Sequence, residues 1–161
     1  RERLVLRGGA LRGREEVAAW IDPVMMGVPE IYTVLDWYAI EGDKVIGTAT
    51  FGTAYEGPPG CVHGGFVAAS FDEILGAAQS MSGLPAMTGT LTIRYRKPTP
   101  LHRELRFEGE LVRVEGRKVF ASGRVYAGDS LTAEADGIFV TINFDRFKAL
   151  IDERDQPAGG A

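Results

Sequence analysis

The chain has 161 residues, 45% of them apolar and 25% charged, with a net charge of −4. That size suits one domain with its own core, and the mild acidity argues against a nucleic-acid footprint, which needs a basic excess. No apolar run reaches the ~20 residues of a membrane helix, and the start lacks both Met and a signal-peptide pattern, so a trimmed chain or a fragment is expected. Cys61 is the lone cysteine, which rules out an intrachain disulfide and points to a reducing, cytoplasmic setting. With two histidines besides, the usual zinc spacings cannot be assembled, so no metal is expected.

Residues 1–13 are basic and Gly-containing and read as a loose arm. Arg14–Ile21 reads as a short helix, stopped where Asp22-Pro23 disfavours helical backbone. An irregular connection with Pro23, Gly27 and Pro29 follows, and 1–31 is taken as an N-terminal arm. Two strands are predicted next, Tyr32–Ile40 and Lys44–Phe51, joined by Glu41-Gly42-Asp43. Thr53–Val62 reads as a loop.

His63–Met81 carries the helical pattern. Phe66, Val67, Phe71, Ile74 and Leu75 recur at helical spacing, small residues fill the other positions, and Ser82-Gly83-Leu84-Pro85 stops the run. So apolar a helix should be wrapped by sheet. Four strands are then predicted, Ala86–Arg96, Glu104–Val114, Lys118–Ala127 and Ser130–Asn143, with hairpin turns at Glu115-Gly116-Arg117 and Gly128-Asp129. Phe144–Glu153 reads as a short terminal helix, and 144–161 as helix plus flexible tail. Strands, one long apolar helix and more antiparallel strands make an α+β arrangement: a curved sheet with one face to cover and one helix to cover it.

The most informative stretch joins the loop formers Pro58-Pro59-Gly60 to His63-Gly64-Gly65 at the start of that helix, with Asp72 nine residues past the histidine. A helix start offers free amide donors to an electron-rich oxygen. An acid on an otherwise apolar stretch is costly without a task or a partner. Together they suggest a site that polarises a carbonyl and activates a water beside it.

These residues resemble the hotdog-fold thioesterases, and most of all the subgroup of phenylacetate-pathway thioesterases and mitochondrial thioesterase superfamily members. The matching pieces are Tyr55-Glu56-Gly57-Pro58-Pro59-Gly60, His63-Gly64-Gly65, Asp72, Met87-Thr88-Gly89, Ile93-Arg94-Tyr95-Arg96-Lys97-Pro98 and Val114-Glu115-Gly116-Arg117-Lys118. The resemblance spans about residues 32–142, and 32–143 is taken here as the hotdog domain. His-Gly-Gly alone is a weak motif; an acid nine residues on and Thr88 sixteen beyond that make the match fairly specific.

The resemblance implies hydrolysis of acyl-CoA thioesters by a homodimer or homotetramer, with active sites at the subunit interface and no cofactor. A thiolate leaves readily, its pKa being near ~8.5, so the two tasks are to hold the oxyanion and to supply a nucleophile. The Gly64 amide at the helix start is the first choice for oxyanion donor, where one donor is typically worth ~3 kcal/mol. Gly65 serves the same turn or only its packing. Asp72 is read as general base on water or as nucleophile forming a mixed anhydride. Of the adjacent acids Asp72 and Glu73 one must face water, and the spacing match favours Asp72. Thr88, Thr90 and Thr92 alternate as strand residues commonly do, and only the family match selects Thr88 as partner of the carboxylate. His63 is read as orienting the loop or capping the helix, and His102 as a surface residue. Some relatives carry Asn or Gln as a second carbonyl donor where this chain has Gly57, so a backbone amide or the His63 ring must fill that role. Arg94, Arg96, Lys97, Arg117 and Lys118 are cations for the CoA phosphates, or merely solvated strand residues.

A non-catalytic acyl-CoA-binding hotdog module is the alternative, and the presence of Asp72 favours the enzyme. A hotdog dehydratase would need its histidine placed differently, and a plain structural dimer would make the cluster accidental. The acyl group is expected to be a medium or long fatty chain, with Met25, Met26 and Trp37 suited to an adaptable apolar pocket and an aromatic acyl group the other option.

Overall fold

The computed structural model describes residues 4–7 and 34–143, together with positions 145, 148, 149, 152 and 153. The expected helix at 14–21, the connection after it and Met25 and Met26 lie outside the described residues. So does half of the expected terminal helix, whose described positions 145, 148, 149, 152 and 153 are helical.

Seven strands form one sheet: β1 (Leu4–Arg7), β2 (Trp37–Glu41), β3 (Lys44–Thr50), β4 (Ala86–Tyr95), β5 (Glu104–Glu115), β6 (Lys118–Ala127) and β7 (Ser130–Thr141). Among the described residues one long helix, α1 (Gly64–Ser80), stands between β3 and β4 in sequence. Every pairing is antiparallel, in the spatial order β1-β2-β3-β5-β6-β7-β4. Three strands therefore separate β3 from β4, and α1 carries the chain across the sheet between them.

The hairpins form where the turn chemistry allows. Gly42, Gly116 and Gly128 take left-handed backbone, with φ of 69°, 56° and 59°, in the three tight turns. Strand residues then alternate. Leu105 and Phe107 of β5, Val119, Ala121 and Val125 of β6, and Ala133, Ala135 and Phe139 of β7 are buried on the helix side. Val67, Phe71, Ile74, Leu75 and Ala78 of α1 meet them, with Phe71 edge-on to Phe107 at 5.8 Å between centroids. The opposite sheet face is charged and cross-linked by Lys44–Glu108, Arg124–Glu110 and Arg124–Glu134.

Two details differ from expectation. Residues 1–13 were expected as a loose arm, but Leu4–Arg7 pairs with β2 as an edge strand. The strand expected from Tyr32 begins at Trp37, because the Val34 and Leu35 amides bond a side chain of α1 instead of a neighbouring strand. The curved sheet wraps the helix as expected, and Gly65, Phe66 and Asp72, on the side away from the sheet, are exposed. β4, at the sheet edge, is exposed along most of its length.

Candidate active site

The site is built on the first turn of α1. The loop before it is tied internally by Gly57 N–H to the Cys61 carbonyl (2.9 Å) and Gly60 N–H to Glu56 Oε1 (2.7 Å). It is tied to the segment after β4 by Val62 N–H to the Thr99 carbonyl (2.8 Å) and Leu101 N–H to the Gly60 carbonyl (3.2 Å). His63 is the N-cap, in extended backbone, and its Nδ1 accepts the Gly65 N–H at 3.0 Å. A ring nitrogen that accepts carries no proton, so the neutral His63 holds its proton on Nε2 and offers a donor there.

Helix starts leave four amides without intrahelical acceptors. Here Gly65 N–H goes to the His63 ring, and Phe66 and Val67 N–H go to the His63 carbonyl at 3.0 and 3.4 Å. Among the described residues the Gly64 N–H has no acceptor. The positive end of the helix dipole thus carries one unengaged donor, at the residue expected to supply it. Gly65, expected to serve the same turn beside the substrate or only its packing, has its donor committed to His63. Tyr95, at the end of β4, donates its hydroxyl to the Gly64 carbonyl at 2.8 Å. A Cβ at Gly64 would lie 3.1 Å from that hydroxyl, so a side chain there would push the hydroxyl back by a few tenths of an ångström.

Two turns on, Asp72 is exposed and its Oδ1 accepts the Thr88 hydroxyl at 2.7 Å. This is the partner selected from Thr88, Thr90 and Thr92. β4 shifts register against β7 between Thr88 and Thr90, so the first two threonines are not equivalent, and bulges re-aim side chains in this way. Glu73, the neighbouring acid, points the other way. Its Oε2 accepts the Val34 and Leu35 amides at 2.7 and 3.2 Å, and its Oε1 is buried without a partner among the described residues. Burial holds the Glu73 carboxyl above its ordinary range, against the pull of those two amides. Tyr38 is pushed up to about 12 by burial and by the negative charge of Glu73. Glu73 thus anchors the chain before β2, a role that sequence reasoning missed because its partners lie 38 and 39 residues away.

The expected cations divide. Arg94 pairs with Asp136 at 2.6 Å and Arg96 with Glu134 at 2.8 Å, so both lie neutralised along β7. Among the described residues Lys97 bonds the Ser130 hydroxyl, at 3.0 Å, and no carboxylate, so its charge is available near the Gly64 end of β4. Arg117 donates to the Thr141 carbonyl at 3.0 Å, at the other end of β7, where Thr141 faces Ala86. The structure does not bring Arg117 and Lys97 together within one protomer. Position 57 has no room for a second donor side chain, since a Cβ there would lie 2.8 Å from the His63 Cα. His102 is exposed, as expected. Sequence reasoning also missed three aromatic residues beside the turn. Phe51, Tyr55 and Phe66 stack edge-to-face at 5.3 and 4.7 Å, with Tyr55 and Phe66 partly open to solvent.

A single helix lying in a curved antiparallel sheet, with a capped glycine turn and a Thr-bound carboxylate on its open side, defines the hotdog class. Residues 59–134, just under half of the chain, match the thioesterase superfamily. It is 36% identical over 93 residues to the acyl-coenzyme A thioesterase THEM4 of Xenopus laevis, covering 56% of this chain and 42% of the relative. The human acyl-coenzyme A thioesterase THEM5 is 30% identical over 96 residues, covering 58% of this chain and 39% of the relative. The chain spans about two fifths of the length of these curated relatives. Among solved structures, a thioesterase superfamily protein is 38% identical with a TM-score of 0.62, over 65% of this chain and 52% of that one. A Streptococcus mutans protein solved with acetyl CoA shares the fold at 21% identity and a TM-score of 0.65, over 72% and 94% of the two chains.

Proposed function

We propose that the protein hydrolyses acyl-CoA thioesters, with Asp72 activating water and the Gly64 amide holding the carbonyl oxygen. The observation that carries this reading is the Asp72–Thr88 hydrogen bond, on the same open side of α1 as an unengaged helix-start amide. The curated relatives, named acyl-coenzyme A thioesterases, support the choice of substrate class.

Thr88 donates to one carboxylate oxygen and leaves the other free for water. That oxygen takes a proton as the water oxygen attacks the thioester carbon. The carbonyl becomes an oxyanion, held by the Gly64 N–H and by the His63 Nε2–H as second donor. When the C=O reforms, the C–S bond breaks; CoA leaves as a thiolate and takes up the proton, and the free acid remains. A direct attack by Asp72 would give a mixed anhydride, which water then opens.

Gly64 and Asp72 stand eight residues apart on one helix, ~12 Å along its axis. One C(=O)–S group cannot touch both. Two copies packed with their helices side by side and antiparallel bring Gly64 of one to Asp72 of the other, so the working unit is a homodimer or a pair of them. Phe66, Met87 and Tyr95, exposed beside this side of the helix, suit such a face. Lys97 from one copy and Arg117 from the other then fall at opposite sides of each site, available to CoA phosphates. The partly open Tyr55 and Phe66 line the acyl side, fitting a medium or long fatty chain.

A chain-length panel of acyl-CoAs, run with the intact protein and with Asp72→Asn, tests the reading. Turnover of at least one acyl-CoA, abolished in Asp72→Asn with binding kept, is the expected result. Binding and thermal stabilisation by acyl-CoA without turnover would replace the enzyme with a binding module.

A further inference from the structure

The turn that carries the proposed oxyanion donor contains two adjacent glycines, the residues with the most backbone freedom. A donor is effective only if it is held in place before the charge develops. The peptide unit joining Gly64 to Gly65 is held at both ends. Its N–H donates to His63 Nδ1 at 3.0 Å, and its carbonyl accepts the Tyr95 hydroxyl at 2.8 Å. The first contact is local, two residues away; the second comes from 31 residues further along, across to β4. β4 is also the strand that supplies Thr88 to Asp72. One strand therefore reaches both halves of the proposed chemistry, with Thr88 near its start and Tyr95 at its end.

The geometry points to Tyr95 as a positioning residue that locks the Gly64–Gly65 peptide, and through it the Gly64 amide, for the reaction. This inference rests on the functional reading above. Tyr95 does not touch the reacting atoms in this account. Tyr95 is 54% exposed in the single chain, and its hydroxyl is turned onto the helix start. Desolvation holds its phenol above the ordinary value, which keeps it a donor across the working pH range. The close approach to position 64 follows from the same contact, because the hydroxyl fills the space a side chain there would need.

Tyr95→Phe keeps the ring and removes only the donor. Two measurements on the full chain decide the matter: steady-state turnover of the best acyl-CoA, and amide hydrogen exchange at Gly65 read by NMR. The expected result is a kcat about 10-fold lower, with KM within about 2-fold of wild type and an unchanged melting temperature. The Gly65 amide is expected to exchange about 5-fold faster or more, since the peptide has lost its tie to β4 while the helix's own bond from the Ala68 N–H to the Gly64 carbonyl stays. Unchanged Gly65 exchange overturns the proposal whatever happens to turnover, and so does a KM that rises as much as kcat falls. Should the wild-type protein cleave no acyl-CoA, the functional reading fails by itself, and Gly65 exchange alone then confirms or overturns the lock.

Discussion

The two sides of α1 follow opposite rules. The side against the sheet is large, apolar and sealed: Val67, Phe71, Ile74, Leu75 and Ala78 are each at most 1% exposed. The open side has glycines and alanines, one exposed aromatic residue and Asp72, and its polar groups bond outward to β4. The first arrangement serves stability through area removed from water; the second leaves that stability unused to keep donors and a carboxylate accessible. Asp72 and Glu73 make the contrast sharpest, since one step along the helix turns an exposed acid into a half-buried one.

Breaking the open side should harm chemistry and spare the fold. Asp72→Asn is expected to lower kcat about 10³-fold while moving the melting temperature little, as read by steady-state assay and calorimetry. Breaking the sealed side should do the reverse. Phe71→Ala removes a ring packed on Phe107 and is expected to cost about 3 kcal/mol in urea unfolding, with activity per folded molecule retained. Thr88→Val keeps the shape and removes the donor to Asp72; a roughly 10-fold loss of kcat is expected, with stability within about 0.5 kcal/mol. If Thr88→Val unfolds the protein instead, the two sides are not separable.

Glu73 supplies the smaller, pH-dependent test. Its carboxyl is held above the unfolded value, so the folded state favours the protonated form. The stability this contributes is present below the ordinary glutamate range and is lost as pH rises through the raised value. Glu73→Gln cannot titrate. Its stability relative to wild type should therefore improve on going from about pH 4 to about pH 7, measured as the difference between paired urea curves. A flat difference would show that the two amides of Val34 and Leu35 offset burial, and a falling one that they outweigh it. The smallest effect is expected at Arg94→Ala, where an exposed pair with Asp136 is lost at a cost below about 1 kcal/mol.

Much of this architecture was legible before any coordinates. The helix and the three tight turns follow from spacing and glycine placement over a few residues, and five strands fall near their expected bounds, with β2 beginning five residues late. Asp72 and Thr88 were legible only through their spacing in a family pattern, because β4 has three alternating threonines and nothing local separates them. Leu4–Arg7 was not legible, since an edge strand is decided by the strand it pairs with. The apparent surplus of cations was misleading for a similar reason: Arg94 and Arg96 meet Asp136 and Glu134, carboxylates about 40 residues away.

The amino-acid order by itself determined the helix, its capped glycine start, the hairpins and the alternation that gives each strand an inner face, because these depend on backbone preferences and on neighbours within a turn. Only the tertiary structure decided that Glu73 turns inward to hold Val34 and Leu35, and that Thr88 rather than Thr90 reaches Asp72. It also decided that Tyr95 closes on Gly64. Those outcomes depend on which distant segments the sheet lays side by side, and a hydrogen bond over tens of residues leaves no period in the sequence to read.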